Sequence, residues 1–321
     1  MDSRETKRTV PVPSVGADGE QPISQTPTAS ITEETTENNP PEKNYAELLR
    51  KMQRMNDPAY LPTISMNELY ENVYQSRPPV IDGLLYPGTY LFAGAPKVGK
   101  SFLMAQLAYH VSMGLPLWDY PVHKGTVLYL ALEDDHRRLQ ERLYRMFGMD
   151  GTNDLLFSIC AKQVGSGLEE QLKRFVQEHP DTKLIIIDTL QKIREAGGDK
   201  YSYANDYEVV GKLKRLADAC GVCLLLVHHT RKQQADDKFD MISGTNGLSG
   251  AADGAFLLQK EKRTDGTATL DVVGRDQQDQ RLYLIKDKEH LTWTLERMET
   301  ELWVDPPDPV LEPVAAFITA E

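Results

Sequence analysis

Two spacings of apolar residues alternate along the middle of the chain, and together they predict an α/β fold. Short apolar runs predict strands, whereas apolar positions three and four residues apart predict helices. The run Leu184–Ile187 is wholly apolar, as in parallel strands buried on both faces. The sequence therefore predicts a mostly parallel twisted sheet flanked by helices. Its strands are expected at Tyr90–Ala93, Val127–Leu132, Leu155–Cys160, Leu184–Ile187 and Cys223–Val227, and its helices at Lys100–Met113, Asp134–Phe147, Leu168–Gln177 and Tyr207–Ala219.

The pattern changes after Ala255, where strand-like segments follow one another with only short turns between them. Asp265-Gly266 is a hairpin signal between the first two of these segments. We therefore expect the parallel sheet to continue into an antiparallel C-terminal extension. Its strands are predicted at Phe256–Gln259, Thr269–Val273, Leu282–Ile285 and Thr292–Leu295.

Both ends of the chain differ from this middle region. Residues 1–43 are rich in Thr, Pro, Glu, Ser and Asn, and they are predicted to be disordered because they offer too little apolar surface for a core. Residues 44–78 are predicted to be a short helical lead-in, with one helix at 44–55 and a second that begins at a capping box of Ser65 and Glu68. The α/β domain is expected at 79–299, followed by a proline-rich tail at 300–321.

Charge and composition restrict the classes of function. The 321 residues carry a formal net charge of −12, so any nucleic-acid contact is expected to be local, for instance on loops lining a pore. The N-terminus lacks the apolar core of a secretory signal, and no apolar run reaches the length of a membrane span. We therefore expect a cytoplasmic protein without membrane contact. Cys220 and Cys223 form a Cys-Gly-Val-Cys stretch, which we interpret as core packing rather than a metal or redox site.

The strongest chemical signal is Gly94-Ala-Pro-Lys-Val-Gly-Lys-Ser101, which lies between a predicted strand and a predicted helix. This motif is the P-loop, whose backbone N–H groups and helix N-terminus bind phosphates. Its lysine would reach the β- and γ-phosphates, and its serine hydroxyl would ligate Mg²⁺. The sequence therefore predicts binding of Mg·ATP. The expected binding residues are Gly94, Ala95, Pro96, Lys97, Val98, Gly99, Lys100, Ser101 and Phe102.

Acidic residues end two of the predicted strands. Asp188 closes the run Leu184–Ile187, where its carboxylate would help Ser101 to hold Mg²⁺. Glu133 follows another strand and would face the same crevice at the carboxyl ends of the strands. We interpret Glu133 as the base that activates the attacking water. Asp134 is an alternative base, although it also suits the N-terminus of the following helix.

His228 and His229 end the strand that begins at Cys223. Adjacent residues on a strand point to opposite faces, so at most one of the two faces the γ-phosphate. That histidine would sense the phosphate through a hydrogen bond. A purely structural histidine is the alternative interpretation.

The order of these motifs, with His228-His-Thr-Arg-Lys232 as the last, resembles the RecA-like ATPases of the RepA type. These are hexameric replicative helicases of plasmids, with relatives in phages and mobile elements. Ile81-Asp-Gly-Leu-Leu-Tyr-Pro-Gly88 and Ser249-Gly-Ala-Ala-Asp253 are similar too, and the resemblance extends from about Pro79 to Leu295. It implies a RecA-like fold, ATP and Mg²⁺ as ligands, and a homo-oligomeric ring, expected to be a hexamer.

The resemblance also implies roles for particular residues. His229 would be the γ-phosphate sensor, with His228 beside it. Arg275 would act as a basic finger across the subunit interface, where it neutralises charge in the transition state. Lys260 and Lys262 are alternatives for this finger.

Single-stranded DNA would lie on two loops in the centre of the ring, here about Gln191–Asn205 and Arg231–Leu248. Basic side chains on these loops are the candidates for phosphate contacts. They are Lys192, Arg194, Lys200, Arg231, Lys232 and Lys238.

The leading hypothesis is a Mg·ATP-hydrolysing ring helicase in the replication of a plasmid, phage or mobile element. One alternative is a non-helicase ATPase switch, such as a helicase loader or recombination mediator. Another is a nucleotide-regulated scaffold in signalling or phage defence, with a protein partner bound by the N-terminal region. The acidic net charge favours the scaffold, whereas the resemblance favours the helicase.

Overall fold

A computed structural model describes residues 45, 49–50, 52–73, 77–194, 203–230, 239, 242, 247–262 and 264–300. The chain forms two compact units, Met1–Val73 and Tyr74–Glu321. Residues 1–43 and all but Thr300 of the predicted tail lie outside the described residues. No helix among the described residues is long and apolar enough to cross a membrane.

The first unit contains the helix Met66–Glu71, which begins at the predicted capping box. The backbone N–H of Glu68 donates to Ser65 Oγ (3.2 Å), and the backbone N–H of Ser65 donates to Glu68 Oε2 (2.8 Å). These two bonds satisfy N–H groups that a helix start leaves without an intrahelical acceptor. Residues 45, 49–50 and 52–55 are also helical.

The second unit is built on a nine-stranded sheet with helices on both faces, counted over the described residues. Its strands are β1 Gly88–Gly94, β2 Thr126–Ala131, β3 Leu155–Ser158, β4 Thr182–Asp188, β5 Cys223–His229, β6 Gly254–Gln259, β7 Thr267–Gly274, β8 Gln280–Lys286 and β9 Trp293–Thr300. Its helices are Lys100–Met113, His136–Phe147, Leu168–Glu178, Leu190–Ile193, Tyr203–Cys220 and Gly247–Ala251.

The strand order is β3-β2-β4-β5-β1-β6-β7-β8-β9. The pairs from β3 to β6 are parallel, and those from β6 to β9 are antiparallel. This arrangement confirms the predicted α/β fold with its antiparallel C-terminal strands. β6 joins the two parts of the sheet, because it pairs with β1 in parallel and with β7 antiparallel. Residues Ala255–Leu258 are buried, as suits an interior strand of a parallel sheet.

Both faces of the sheet are covered, which explains the continuous apolar runs. In β4, Leu184 and Ile186 pack into the core on the side of helix Lys100–Met113. Ile185 and Ile187 pack into the core on the opposite side. Because successive side chains of a strand point to opposite faces, every position of such a strand has to be apolar.

The register of the strands brings the predicted binding and catalytic residues to one edge of the sheet. Gly94 is paired with His229 across β1 and β5, and Asp188 is paired with Ala131 across β4 and β2. All four residues lie at the carboxyl ends of parallel strands. Ligands of open α/β sheets bind at this edge.

Candidate nucleotide-binding site

The P-loop joins β1 to the helix Lys100–Met113 through a turn that requires glycine at two positions. Gly99 has φ 111°, a backbone conformation that side chains disfavour. A Cβ atom on Gly99 would lie 2.8 Å from Cζ2 of Trp293. A Cβ atom on Gly94 would lie 2.6 Å from the carbonyl oxygen of Leu258. Both motif glycines are therefore needed for close packing of the loop, and Gly99 also for its turn.

Lys100 is buried, and its amine points back over the loop. Nζ donates to the carbonyl oxygens of Gly94 (2.7 Å) and Ala95 (3.1 Å) and lies 2.9 Å from Nδ1 of His229. Burial lowers the pKa of Lys100 to about 8, although the nearby carboxylates of Asp188 and Glu133 oppose this shift. The amine therefore lies at the centre of the site, close to the phosphate positions that the loop defines.

His229, rather than His228, contacts the P-loop lysine. Burial lowers the pKa of His229, and the adjacent Lys100 lowers it further. A neutral imidazole can accept a hydrogen bond from the ammonium group through Nδ1. This position agrees with the interpretation of His229 as the phosphate sensor, which stays a prediction.

Ser101 and Asp188 meet beside the loop. The Ser101 hydroxyl donates to Asp188 Oδ2 (2.7 Å), and the Tyr129 hydroxyl donates to the same oxygen (2.9 Å). Burial raises the pKa of Asp188, while these two hydrogen bonds favour the carboxylate form. A hydroxyl and a carboxylate at hydrogen-bond distance are the hard oxygen donors that Mg²⁺ takes alongside nucleotide phosphates, so the residues fit the predicted ion.

The three consecutive acidic residues after β2 have different contacts. Glu133 Oε1 accepts from the hydroxyl of Thr189, the residue that follows Asp188 (3.2 Å). Asp134 forms a two-point ion pair with Arg142 (2.7 and 3.1 Å). Asp135 caps the helix His136–Phe147. These contacts favour Glu133 over Asp134 as the water-activating residue, because the Asp134 carboxylate is already bound to a cation.

The proposed trans-acting residues lie at opposite edges of the sheet. Arg275 follows Gly274, which is paired with Gly254 at the start of β6, so Arg275 lies at the edge opposite the P-loop. Its side chain is 61% exposed, and NH1 lies 3.8 Å from Oδ1 of Asp253. Lys260 follows the other end of β6, at the P-loop edge. The structure therefore does not bring Arg275 to the P-loop of its own subunit.

The predicted DNA-contacting residues differ in their exposure, and four of the six lie outside the described residues. Lys192 is exposed on the helix Leu190–Ile193. Arg194 is buried, and its NH2 lies 3.0 Å from Oδ1 of Asp206. This burial in an ion pair argues against a DNA contact by Arg194, which stays a prediction. The other four candidates lie outside the described residues, namely Lys200, Arg231, Lys232 and Lys238.

Two residues of the site were not identified from the sequence. Thr189 contacts Glu133, and its polar side chain directly after the buried run ending at Asp188 was an available signal. Tyr129 contacts Asp188 from the middle of β2. An aromatic residue inside a strand has no local feature that separates it from ordinary core packing.

Comparisons with known proteins agree with this geometry. Residues 55–235 match the family model described as AAA domain. The chain is structurally similar to the ATPase domain of G40P, with 14% identity, a TM-score of 0.56, and coverage of 79% of this chain and 97% of that one. It is also similar to a DnaB-like replicative helicase from a structure that addresses its interactions with primase. There the identity is 15% and the TM-score 0.56, with coverage of 78% of this chain and 71% of that one.

No curated protein matches the chain in a sequence comparison. At these identities the structural neighbours establish the fold alone, which is the RecA-like α/β fold that the sheet order describes. The family match covers more than half of the 321 residues and contains the P-loop, Glu133, Asp188 and His229. The chain therefore belongs to the AAA domain family and is a RecA-like P-loop ATPase.

Proposed function

We propose that this protein hydrolyses Mg·ATP as a motor within a homo-oligomeric ring, a hexamer, and that the ring is a DNA helicase of the RepA type. The observation that carries the proposal is the separation of two sets of residues. Lys100, Ser101, Asp188 and Glu133 converge at one edge of the sheet, whereas Arg275 is exposed at the opposite edge. A site divided in this way supports hydrolysis completed by a neighbouring subunit.

The residues of the P-loop edge divide the chemistry between them. Lys100 binds the β- and γ-phosphates, where the added negative charge favours its protonated form. Ser101 and Asp188 would hold Mg²⁺, and the ion would supply positive charge beside the phosphates. Glu133 orients the attacking water and accepts its proton, and Thr189 keeps the Glu133 carboxylate beside the site.

Arg275 completes the site of the next subunit. Its backbone N–H donates to the carbonyl oxygen of Asp253 (2.9 Å), which fixes the start of the side chain, while the guanidinium group stays largely exposed. An exposed cation at the edge opposite the P-loop has no access to the nucleotide of its own subunit. A ring that stacks one edge against the other supplies that access.

The link to DNA is the loop that begins after β5. His229 contacts Lys100 and is followed after one residue by the segment 231–248, which we propose as one of the two DNA loops. Loss of the γ-phosphate would change the surroundings of His229 and thereby the start of this loop. Lys192, exposed on the segment proposed as the other loop, is a candidate phosphate contact.

A second candidate is an ATPase switch or scaffold that binds a protein instead of DNA. Two observations favour it: the net charge of −12 and the exposed apolar side chains of the first unit. Leu61, Tyr70 and Val73 are among these exposed side chains. These side chains are available for contacts with a protein partner.

Steady-state ATP hydrolysis with and without single-stranded DNA tests the proposal. The helicase predicts hydrolysis that DNA stimulates and that Glu133→Gln abolishes, together with unwinding of a forked duplex. Mixing Arg275→Ala subunits with Lys100→Ala subunits tests the shared site, because only rings that contain wild-type junctions should regain turnover. Hydrolysis that depends on Glu133 but ignores DNA would move the function to the switch or scaffold.

A further inference from the structure

The hairpin of β8 and β9 places a lysine amine directly beside the P-loop. Lys286 ends β8, and its Nζ lies 4.1 Å from the centroid of the Phe102 ring. Phe102 immediately follows Ser101, the last residue of the P-loop. The amine is therefore held next to the start of the helix Lys100–Met113, whose N-terminus favours anions.

A second amine lies next to the same part of the loop. Nζ of Lys260 and Nζ of Lys286 lie 5.3 and 5.8 Å from the centroid of the Trp293 ring. The Trp293 indole in turn packs against Gly99 of the P-loop. Both amines thus flank an aromatic ring that supports the phosphate-binding turn.

The hairpin that carries these groups is tied to the P-loop helix. The Gln106 side chain donates to the carbonyl oxygen of Trp293 (2.8 Å) and accepts from its backbone N–H (2.7 Å). Arg145 donates to the carbonyl oxygens of Lys288 (2.8 Å) and Glu289 (2.9 Å) in the turn between the strands. The position of Lys286 relative to the loop is therefore set by two buried hydrogen bonds of Gln106 and two surface hydrogen bonds of Arg145.

Neither amine has a carboxylate partner among the described residues. Lys260 Nζ donates to the backbone carbonyl of Asp265 (2.6 Å), which leaves its charge uncompensated. The Asp287 side chain, next to Lys286 in sequence, accepts instead from the backbone N–H groups of Glu289 and His290. Burial lowers the pKa of Lys286, and the positive charges of Lys260 and Arg145 lower it further. Ring contacts stabilise an ammonium group without neutralising it, so this cluster favours an added anion.

The position of the cluster identifies the anion. In P-loop proteins the loop and its lysine bind the β- and γ-phosphates. Phe102 is the first residue beyond the loop, so we assign the α-phosphate end of a bound nucleotide to its side. We propose that Lys286 and Lys260 form a cis-acting cationic subsite for the bound nucleotide, which contacts the diphosphate shared by ATP and ADP at its α-phosphate end. The inference rests on nucleotide binding at the P-loop. It assigns Lys260 to its own subunit's nucleotide and leaves the role across the interface to Arg275.

Calorimetric titration of the full-length protein with Mg·ADP and with a non-hydrolysable Mg·ATP analogue tests the subsite. Lys286→Gln should weaken both nucleotides by the same factor, on the order of tenfold, which is the effect of losing one charge-assisted hydrogen bond. Lys260→Gln should act in the same direction, whereas Lys286→Arg should retain most of the affinity. Lys288→Gln is the matched control, because Lys288 is exposed in the same hairpin turn and should leave both affinities unchanged.

Unchanged affinity in Lys286→Gln and Lys260→Gln would overturn the proposal, and so would a loss confined to the ATP analogue, which would indicate a γ-phosphate contact. Lys100→Ala distinguishes a failure of the subsite from a failure of nucleotide binding at the P-loop. If Lys100→Ala abolishes binding while the other two variants bind normally, only the subsite is wrong. If Lys100→Ala binds normally, the P-loop is not the nucleotide site and the proposed function fails with it. Lys260→Gln keeps the test decisive if Lys286→Gln does not fold.

Discussion

Arg194 and Asp206 form an ion pair that joins the end of helix Leu190–Ile193 to the start of helix Tyr203–Cys220. NH2 of Arg194 lies 3.0 Å from Oδ1 of Asp206, and the two side chains are only 7% and 9% exposed. Replacing Asp206 by leucine would leave the guanidinium group buried opposite an apolar side chain. We therefore expect Asp206→Leu to lower the free energy of unfolding by about 3–5 kcal/mol, the range measured for buried pairs that lose one member.

A double variant distinguishes the effect of losing the ion pair from the effect of changing side-chain volume. Arg194→Met with Asp206→Leu fills the same space without charges, and it should recover most of the loss, ending within about 2 kcal/mol of the wild type. Urea denaturation of the nucleotide-free protein, followed by circular dichroism, measures all variants on one scale. Lys192→Met is the matched control, because this side chain is exposed on the same short helix and should change stability by about 0.5 kcal/mol or less.

Two results would refute this reasoning. The first is an Asp206→Leu protein whose free energy of unfolding equals that of the wild type, since a solvated arginine needs no partner. The second is an Arg194→Met protein of normal stability that binds single-stranded DNA more weakly, which would restore Arg194 as a DNA contact. The prediction thus distinguishes a structural ion pair between the two helices from a phosphate-binding residue.

Three further predictions concern the nucleotide site. Glu133→Gln should lower ATP turnover by about 10²–10⁴-fold, whereas Asp134→Asn should retain turnover within a few-fold and mainly lower the melting temperature; the reverse outcome would make Asp134 the base. The pKa of Lys100 is lowered to about 8 from its ordinary 10.5. Between these pH values the unfolded chain binds a proton that the folded chain does not, so the free energy of unfolding of the nucleotide-free protein should rise with pH across that window. A Lys100→Met protein with the same rise would contradict this assignment. Gly99→Ala should destabilise the protein by about 1–3 kcal/mol and weaken ADP binding, because the new Cβ would contact Trp293 and the backbone has a strained φ. Thermal unfolding and calorimetry check the two effects, and a variant of normal stability would show that the loop can move away.

The residues of the P-loop edge were predictable because each has a recognisable signal in the neighbouring sequence. The motif that ends at Ser101 lies between a strand and a helix, and Asp188 ends an apolar run. Parallel strands bring such positions together whatever their order in the sheet, so the crevice follows from the α/β pattern alone. Its finer contacts depend on register, and the contact of Tyr129 with Asp188 has no local signal of this kind.

Charged residues were the less predictable part, because the sequence does not distinguish an exposed charge from a buried pair. Arg194 resembled a DNA contact, and nothing in the sequence singled out Asp206 as its partner. The pair forms between the end of one helix and the start of another, a proximity that no spacing rule encodes. The sequence likewise does not determine the direction of β6 relative to β1, because its apolar run suits either a parallel or an antiparallel neighbour, and only the pairing with β1 decides between them.

The C-terminal hairpin of β8 and β9 supports the P-loop as well as extending the sheet. Trp293 lies 187 residues from Gln106 in sequence, yet this one residue bonds the P-loop helix through its backbone and supports Gly99 through its ring. Lys286 reaches Phe102 from the same hairpin. Because these contacts reach the loop from the far end of the chain, the conformation of the P-loop depends on strands that contain no motif. A change confined to β8 or β9 should therefore alter nucleotide affinity before it alters the parallel core.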